Sequence, residues 1–520
     1  MSEIAWLTWG PEAFARATAE DKPVLLSIAA SWCHWCHVMD NASYADPRVV
    51  DLVSAHFIPV RVDTDRRPDI NERYNLGGWP TTAFLTPEGR PLGGGTYIPP
   101  AGFRQLLEDV RLAWPRWRET QADREWPPRP APAQPPQVGG PEWERQLRED
   151  VAGISDLLRR TYDPQYGGFG SAPKFPHVPA LTFALALYRR TGDPFWREVT
   201  FHTLERMATS GTYDAVEGGF FRYSTTRDWS VPHYEKMLED NCRLVELLVQ
   251  AAKTANRCRQ RFHETVRGVL GYLESHLWDR TLGAFGGSQD ADRSYYRLSG
   301  PERRHKKAPA VDRTIYVNWN ARAASALISA SALPGLGRWK DTGLALVDFL
   351  RTHALARSGL AYHYLQPDPA GGLRGELPGL LVDQVELMRV LLVAFRATGQ
   401  GEYRDEAGIL LDRCREHLGS PAGGFFDLRP EPDAIGLLRY PLQPLEQNAE
   451  AAMVLIDLAR QQPSGGVGTT PCRSGSHFGR AGQTLASLRP HFREYGVLAA
   501  AYGLAAMAYL EEGAARTGLE

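Results

Sequence analysis

The sequence has few of the features that would place it in a membrane or on a charged surface. No apolar run among its 520 residues approaches the eighteen or so that a membrane-spanning helix needs. Lysine and arginine total 59 against 61 aspartate and glutamate, a net charge of −2, so no general attraction to polyanions is expected. We therefore expect neither nucleic acid nor a membrane among the partners.

Cysteine is also scarce. Six cysteines lie at positions 33, 36, 242, 258, 414 and 472, and the last four are scattered singly. This distribution does not suit a disulfide framework and favours a reducing compartment, so a cytoplasmic location is expected. Apolar residues make up 43% and charged residues 23%, as in an ordinary globular protein of two or three domains.

The remaining two cysteines end an apolar stretch at residues 22–39, KPVLLSIAASWCHWCHVM. The run before them predicts a buried strand, and the residues from Cys33 onward predict the start of a helix. Unpaired N–H groups at a helix start stabilise a thiolate. We therefore expect Cys33 to be the attacking sulfur, ionised and reachable, and Cys36 to be the resolving sulfur.

A proline downstream supports this interpretation. Trp79-Pro80 precedes an alternating run at residues 82–86, and in thioredoxin-like folds a proline at the head of such a strand has a cis peptide bond and packs against the cysteine pair. Pro80 is predicted to do the same. Trp35, between the cysteines, and Trp79 are expected to contact a partner.

Three other interpretations of the cysteines stay open. CHWCH matches the c-type haem attachment pattern, although the N-terminal residues 1–14 have neither the basic nor the apolar region of an export signal. Cys33, Cys36, His34 and His37 are a conceivable metal site, but no second CxxC completes a tetrahedral set. Two structural cysteines are the third interpretation. We expect no metal and no cofactor.

The chain then divides into three parts. Residues 1–122 alternate helices and strands in the order α-β-α-α-β-β-β-α, which predicts a thioredoxin-like α/β domain whose last helix covers residues 101–118. Residues 123–141 hold a proline-rich stretch that predicts an extended linker. Residues 142–520 predict an all-α domain.

Twelve helices are predicted in this third part, near residues 142–160, 178–191, 194–209, 236–254, 258–277, 317–332, 338–354, 381–398, 401–417, 445–461, 478–489 and 493–511. Short connections alternate with long ones that repeat a glycine-aromatic motif, as in YDPQYGGFG and YDAVEGGFFRY. Six helical hairpins with all long loops at one end predict an (α/α)6 barrel. The last connections break the alternation, and an irregular helical array is the alternative.

The long loops are predicted to form the mouth of this barrel and to carry its function. The richest loop, GGFFRYSTTRDWSVPHYEKMLEDN at residues 218–241, puts aromatic rings beside carboxylates and an arginine, which suits a polyhydroxylated ligand. His233 and Glu235 are the predicted proton-transfer residues. The predicted binding residues are Lys174, Phe175, His177, Arg222, Tyr223, Asp228, Trp229, Tyr234, Asp290, Asp292, Trp319 and Asp383. For each carboxylate, a loop-anchoring hydrogen bond is the alternative.

Several long motifs resemble a known family, the spermatogenesis-associated protein 20-like proteins, also described by a thioredoxin-like domain of unknown function 255. The matching segments are AASWCHWCHVM, VDTDRRPDI, GGWPTTAFLTPEGRP, GGGTYIPP, FGSAPKFPH, GGFFRYSTTRDWSVPHYEKMLED and GSQDAD. The resemblance implies a thioredoxin-like domain and a six-hairpin barrel similar to glycosidases or to N-acylglucosamine 2-epimerases. It implies a redox pair at Cys33 and Cys36 and, by analogy with related barrels, a mouth histidine at His233, but no settled activity.

Three functions are therefore considered as alternatives. The first is thiol–disulfide exchange with a disulfide-containing protein, with the barrel binding a sugar-like ligand or a partner. The second is a carbohydrate-active enzyme, an epimerase or a glycosidase, with an accessory thioredoxin domain. The third is a non-enzymatic interaction protein whose barrel mouth binds a peptide. The sequence does not specify an oligomeric state.

Overall fold

The computed structural model describes residues 3–121, 138–254, 258–369, 371–461 and 475–517. These residues form two compact units, one with the N-terminal region and Pro430–Pro441, the other with the remainder. Residues 123–137 of the predicted linker lie outside the described residues, and a helix already begins at Gly140. No helix in the described ranges is both long and apolar enough to cross a bilayer.

The first unit, where the structure describes it, contains four strands and five long or medium helices. In chain order they are α1 (Pro11–Glu20), β1 (Val24–Ala29), α2 (His34–Ala42), α3 (Pro47–His56), β2 (Ile58–Asp63), α4 (Pro68–Tyr74), β3 (Thr81–Leu85), β4 (Pro91–Gly95) and α5 (Pro100–Gln121). Helix α4 is missing from the predicted order, because its seven residues are too few to show a helical period.

The strands form one sheet in the order β2-β1-β3-β4. Strand β1 is parallel to β2 and antiparallel to β3, so it lies in the middle of the sheet. Its sequence VLLSIA is buried except at Ala29, as expected of a strand covered on both faces. The thioredoxin-like fold predicted for this region is confirmed.

Twelve long helices dominate the described residues of the second unit. They are α6 (Gly140–Thr161), α7 (Val178–Thr191), α8 (Pro194–Ala208), α9 (Leu238–Thr254), α10 (Arg259–Tyr272), then, after the short helices α11 (Arg293–Tyr296) and α12 (Gly300–Arg303), α13 (Val317–Ala330), α14 (Trp339–His353), α15 (Leu381–Thr398), α16 (Gly401–Leu418), α17 (Leu445–Arg460), α18 (His477–Leu488) and α19 (Ala500–Thr517). A π-helical turn, Leu273–Leu277, extends α10.

Small strands connect the loops of this unit. They are β5 (Tyr223–Ser224), β6 (Pro232–His233), β7 (Lys236–Met237), β8 (Trp278–Asp279), β9 (Ala284–Phe285), β10 (Ser288–Gln289), β11 (Val311–Asp312), β12 (Ile315–Tyr316), β13 (Tyr362–Pro367) and β14 (Leu373–Pro378). Strand β10 pairs with both β7 and β11, which ties the loop before α9 to the loop before α13.

Six helices form a closed inner ring in the order α7, α9, α13, α15, α17, α19 and back to α7. Five of them pair with the helix that comes next in the chain, whereas α19 pairs with α6 from the other end of the region. The alternation of short and long connections breaks at the end for this reason. The predicted (α/α)6 barrel is confirmed, with its sixth pair made from the first and last helices.

The final helix differs from its prediction. Residues 493–511 were expected to be helical throughout, but a 3₁₀ helix, Phe492–Ala499, precedes α19. Gly496 has a φ of 54° there, in the left-handed region that interrupts a regular helix. The α-helix therefore begins at Ala500.

Several glycine-aromatic loops of the barrel are held in the same way, by a side-chain amide on the inner helix that follows the loop. In four loops that amide accepts from the backbone N–H of one loop residue and donates to the carbonyl oxygen of the same residue. The pairs are Asn241 with Phe220, Asn320 with Phe285, Gln384 with Ala361, and Asn448 with Phe425. We call these four amide residues the amide clamps. They are buried, and they fix where each loop enters the barrel mouth.

Candidate functional sites

The first candidate site is the cysteine pair of the N-terminal unit. Cys33 and Cys36 form a disulfide, with their Cα atoms 5.2 Å apart. Cys33 is the N-cap residue of α2, and its sulfur accepts a hydrogen bond from the backbone N–H of Cys36 at 3.2 Å. A donor at this place and the positive end of the helix dipole both stabilise a thiolate on Cys33.

Pro80 lies at the end of the sheet where this pair begins. The Trp79-Pro80 bond is cis, as predicted, and Pro80 is buried. Because Ile28 pairs with Thr81, Pro80 stands beside the carboxyl end of β1, from which the chain runs into Cys33. The Trp79 indole N–H donates to Thr64 and Asn71, both at 3.1 Å, so the ring is held in place.

The structure covers Cys33 more fully than the sequence suggested. Cys33 exposes 5% of its surface and Cys36 exposes 3%, whereas Trp35 between them exposes 45%. The Trp35 ring lies 5.0 Å from that of Tyr97. A partner therefore meets the exposed Trp35 first, and only a small part of the Cys33 surface is open to it.

The second candidate site is a stack of rings contributed by the loops before α7 and α9. The rings of Phe175 and Tyr223 are 4.6 Å apart, and those of Tyr223 and His233 are 4.8 Å apart, with interplanar angles of 20° and 12°. His177 adjoins the stack, 6.1 Å from Phe175, and burial lowers the pKa of its imidazole. We call Phe175, Tyr223 and His233 the aromatic stack.

His233 is oriented by a buried carboxylate. Its Nδ1–H donates to Glu235, whose two oxygens both lie at 2.6 Å, and Glu235 is almost completely buried. With Nδ1 occupied, Nε2 is the nitrogen left to accept a proton. The structure therefore brings together the two residues predicted to transfer protons.

Asp240, on the first turn of α9, adds a third titratable group. Burial and the neighbouring carboxylate of Glu239 raise the pKa of Asp240 to about 6, and the charges of Arg222 and Glu235 also act on it. A carboxyl that titrates near neutral pH suits a proton donor or acceptor. Arg222 is held beside this group through its backbone N–H, which donates to the carbonyl oxygen of Glu235 at 2.9 Å.

Lys174 has a structural role instead of the predicted binding role. It is completely buried, and it donates to Asp163 and to the carbonyl oxygen of Gly167, each at 2.6 Å. Lys236 makes the same two bonds to Asp214 and Gly218, at 2.7 and 2.8 Å. The same buried arrangement thus occurs in two loops. A repeated, fully buried lysine of this kind stabilises the loop that contains it and is not exposed to a ligand.

Two further predicted binding residues hold the loop before α9 in place. Trp229 is fully buried, and its indole N–H donates to the carbonyl oxygen of Tyr166 at 2.9 Å. Asp228 accepts from Ser230 and Thr226, both at 2.7 Å, which lowers the pKa of its carboxyl to about 2. These bonds hold the turn between β5 and β6.

The other predicted residues are spread over several contacts. Tyr234 stacks on Tyr296 with the rings 5.8 Å apart, and Asp292 caps the short helix α11 by accepting from Tyr295 N–H at 2.9 Å. Asp290 accepts from Ala291 N–H at 2.7 Å. None of these contacts joins them to the aromatic stack within the part of the chain that the structure describes.

Asp383 belongs to a second histidine–carboxylate pair that the sequence did not reveal, and Trp319 lies near this pair. His363 donates through Nδ1 to Asp383 at 2.9 Å, and both side chains are buried. Burial raises the pKa of Asp383. The Tyr316 ring lies between this pair and Trp319, 5.8 Å from His363 and 4.4 Å from Trp319.

A third feature, absent from the sequence predictions, is a group of ion pairs inside the barrel. It contains three arginines and five glutamates on the inner helices: Arg243, Arg322, Arg389, Glu239, Glu246, Glu386, Glu446 and Glu450. We call it the charged ring. Four of its members come two residues after an amide clamp, so the repeat Asn/Gln-x-Arg/Glu, present as NCR, NAR, QVE and NAE, was the signal that could have revealed it.

The charged ring borders a cavity of about 440 Å³ on the inner helices. Residues from α7, α9, α13, α15, α17 and α19 line it, so it lies within the ring of six. Burial and the neighbouring Glu450 raise the pKa of Glu386 to about 7. Although burial acts against it, Arg322 and Arg243 hold the pKa of Glu450 at about 2.

The metal alternative receives no support from the arrangement of side chains. Among the residues that the structure describes, no three histidine, cysteine, aspartate or glutamate side chains are grouped as metal ligands.

Comparison with known proteins agrees with the two-part architecture. Residues 1–125 match the family model Thioredox_DsbH, described as "Protein of unknown function, DUF255". Spermatogenesis-associated protein 20 from Homo sapiens is 32% identical over 397 residues, covering 72% of this chain and 48% of that protein. The Rattus norvegicus protein of the same name is 35% identical over 322 residues, covering 58% and 39%.

The chain resembles the spermatogenesis-associated protein 20-like family. The resemblance predicted from the motifs is thus confirmed. The chain spans less than half the length of these relatives, so their full-length activities do not transfer to it directly.

Solved structures support the barrel fold. A cellobiose 2-epimerase from Spirochaeta thermophila superposes with a TM-score of 0.54 at 17% identity, covering 73% of this chain and 99% of that one. A D-mannose isomerase superposes with a TM-score of 0.51 at 14% identity, covering 68% and 88%. At these identities the likeness establishes the fold alone.

Proposed function

We propose that the N-terminal unit of this protein carries out thiol–disulfide exchange through Cys33 and Cys36, in the cytoplasm. The observation that carries the proposal is the position of Cys33 at the N-cap of α2, with the Cys36 N–H donating to its sulfur. A sulfur in this place is a better thiolate than an ordinary cysteine, and its neighbour is close enough to resolve a mixed disulfide.

The reaction proceeds in two balanced steps. The Cys33 thiolate attacks one sulfur of a partner disulfide, which forms a mixed disulfide and releases the other partner sulfur as a thiolate that takes up a proton. Cys36 then loses its proton and attacks the Cys33 sulfur, which releases the partner's second sulfur. The partner gains two electrons, the cysteine pair becomes a disulfide, and an external thiol must reduce it before the next cycle.

An insulin-reduction assay with a dithiol reductant tests this proposal. Wild type should accelerate reduction, and Cys33→Ser should fall to the uncatalysed rate. Cys258→Ser is the matched control, because Cys258 is a free, partly exposed cysteine in the second unit. Wild-type turnover no faster than that of Cys33→Ser would refute thiol–disulfide exchange.

The proposed partner is a protein that contains a disulfide. Cys36→Ser leaves the mixed disulfide unresolved, so a pull-down with this variant should retain partners that dithiothreitol then releases. The third alternative, an interaction protein without exchange chemistry, predicts instead that wild type and Cys36→Ser retain the same partners and that the reductant releases none of them.

A second candidate function, binding and conversion of a carbohydrate by the barrel, is favoured by the aromatic stack. Phe175 exposes 36% of its surface, and an exposed aromatic face suits the C–H face of a sugar ring. His233, oriented by Glu235, supplies a base for removing a proton, as an epimerase requires, and Asp240 supplies a carboxyl that titrates near neutral pH. The fold shared with D-mannose isomerase and cellobiose 2-epimerase supports this candidate by analogy.

Epimerisation is tested directly by proton exchange. Cellobiose and mannose are incubated with the full chain in deuterated water, and NMR then detects deuterium at the carbon next to the carbonyl carbon. His233→Ala should abolish the exchange, whereas His491→Ala, a change at an exposed histidine, should not. Release of glucose from cellobiose instead would favour a glycosidase, and no reaction with either sugar would count against conversion of these substrates.

A further inference from the structure

The cavity within the ring of inner helices is large enough for a small ligand. Its volume of about 440 Å³ falls in the range of roughly 300–1,000 Å³ that is typical of ligand sites. Apolar side chains such as Leu247, Met453 and Leu504 share its wall with the charged ring. The site therefore offers both apolar surface and strong hydrogen-bonding groups.

Every arginine of the charged ring is already held by two carboxylates. Arg243 contacts Glu239 and Glu446. Arg322 contacts Glu386 and, at 3.1 Å, Glu450. An anionic ligand would have to displace a carboxylate from one of these arginines and leave that carboxylate unpaired, which is costly in a buried site.

The third arginine shows the same pattern but keeps one free donor. Arg389 contacts Glu246 at 3.0 Å and Glu386 at 2.9 Å. Its second terminal nitrogen, Nη2, is buried and bonds to none of the residues that the structure describes. Arg389 lines the cavity, but this nitrogen has almost no accessible surface, so it does not offer a ready donor to an anionic ligand.

The charged side chains that line the cavity balance one another. Of the charged ring, Arg243, Arg322 and Arg389 line the cavity together with Glu246, Glu446 and Glu450, so three positive charges face three negative ones and no positive charge is in surplus. Arg396 and Asp457 also line the cavity, but they pair with each other at 2.8 Å and add no net charge.

Two of the glutamates present acceptor oxygens to a ligand. Glu446 and Glu450 line the cavity with side chains 30% and 22% exposed. A hydroxyl group suits this wall, because it can donate to a glutamate without bringing a charge into the cavity.

We propose that this cavity binds an uncharged, polyhydroxylated ligand and discriminates against its acidic and phosphorylated counterparts. The proposal rests on the carbohydrate function proposed for the barrel and names the charge class of its substrate. The cavity selects against anions because the guanidinium groups of the charged ring are already paired with the protein's own carboxylates and are not available to an anionic ligand.

Saturation-transfer NMR on the full chain tests the proposal with two matched pairs of sugars. The pairs are glucose with glucuronate and mannose with mannose 6-phosphate. For wild type we expect the uncharged member to bind at least about tenfold more tightly than the charged one, because a buried acidic group would find every arginine of the cavity already paired with a carboxylate. Ala501→Leu, which adds bulk to the cavity wall without changing charge, should weaken binding of the uncharged sugars.

A second variant tests whether the charged ring is the origin of the selection. Glu450→Gln removes one negative charge while Glu386 still holds Arg322, so the preference for uncharged sugars should narrow severalfold. Glu402→Gln, on the outer helix α16 with its side chain 81% exposed, is the control that should leave the preference unchanged. An unfolded Glu450→Gln protein would still leave the wild-type comparison decisive.

The outcomes separate this inference from the function on which it rests. Equal or tighter binding of glucuronate or mannose 6-phosphate would overturn the charge selection and leave the carbohydrate function standing. Binding of uncharged sugars that Ala501→Leu does not weaken would overturn the assignment to this cavity. If none of the four sugars gives a saturable signal, the inference and the carbohydrate function both fail.

Discussion

The cysteine pair and the charged ring obtain their chemistry in opposite ways. Cys33 and Cys36 lie within one turn of α2, and the donor that stabilises the sulfur is a backbone amide of that same turn. The charged ring takes its members from α9, α13, α15 and α17, helices that are far apart in the chain. The first centre thus depends on one helix end, whereas most pairs of the second form only when different inner helices meet.

Because of this difference, we expect substitutions in the two regions to affect different properties of the protein. A change at the cysteine pair should alter reactivity and leave folding nearly intact, because few other contacts depend on it. Loss of an arginine from the charged ring should destabilise the barrel, because each arginine is shared by two carboxylates. Four substitutions test the contrast, from the largest expected effect to the smallest.

Arg322→Ala should have the largest effect on stability. It leaves Glu386 and Glu450 without their shared guanidinium group, and breaking a buried ion pair in this way costs about 3–5 kcal/mol. Chemical denaturation followed by circular dichroism measures the loss. Arg404→Ala, at an exposed pair with Asp405, should change stability by less than about 1 kcal/mol. Equal effects would show that the ring does not support the fold.

Asn448→Ala removes one of the amide clamps. The backbone N–H and carbonyl of Phe425 would lose their partners, and two buried groups left unsatisfied cost about 3 kcal/mol together. Amide hydrogen exchange should also rise at Phe425. Gln400→Ala, in the exposed connection between α15 and α16, is the control, and a similar loss of stability in both variants would contradict the clamp.

Asp240→Asn should change how stability depends on pH. The raised pKa of about 6 means that the folded protein holds this proton more tightly than the unfolded chain does. The resulting stabilisation is present below about pH 4 and is lost as the pH rises through about 6. Asparagine does not titrate, so the variant keeps its stability over this range. Its free energy of unfolding should therefore rise by about 2 kcal/mol relative to that of wild type between pH 4 and pH 7.

Thermal melting at the two pH values measures this gain. Asp412→Asn, on the exposed face of α16, should shift the melting temperature equally at both pH values. A constant difference between Asp240→Asn and wild type would show that the Asp240 carboxyl does not titrate in this range.

Trp35→Ala should have the smallest effect on stability and act on reactivity alone. The exposed ring is the first surface that a partner meets near Cys33, and losing an aromatic contact of this kind typically costs about 1 kcal/mol, or roughly fivefold in the rate of insulin reduction. Leu112→Ala, on α5 and also well exposed, is the control. A rate equal to wild type would remove Trp35 from the partner surface.

The same contrast explains what the sequence could reveal. The cysteine pair and the twelve barrel helices were predictable because each depends on neighbours in the chain, and the cis bond at Pro80 followed from the thioredoxin-like fold that the pair indicated. The pairing of His233 with Glu235 was predictable for the same reason, since the two residues lie two positions apart in one loop. Short-range signals of this kind survive without knowledge of the fold.

The remaining features depend on contacts between distant segments. His363 meets Asp383, and Arg322 meets Glu450, only after the ring has closed. Lys174 was predicted to bind a ligand because a loop stabilised by a buried ion pair contains the same residue types as a ligand-binding loop. Its match with Lys236, each placed after a repeated Tyr-Asp and Gly-Gly motif, would have indicated the structural role.

The pairing of α6 with α19 sets an order on biosynthesis. While the ribosome is still making α19, the apolar flanks of α7 and α17 that this helix will cover remain open to the cell. The ring of inner helices therefore closes only after α19 has been synthesised. Until then we expect chaperones to bind the nascent chain.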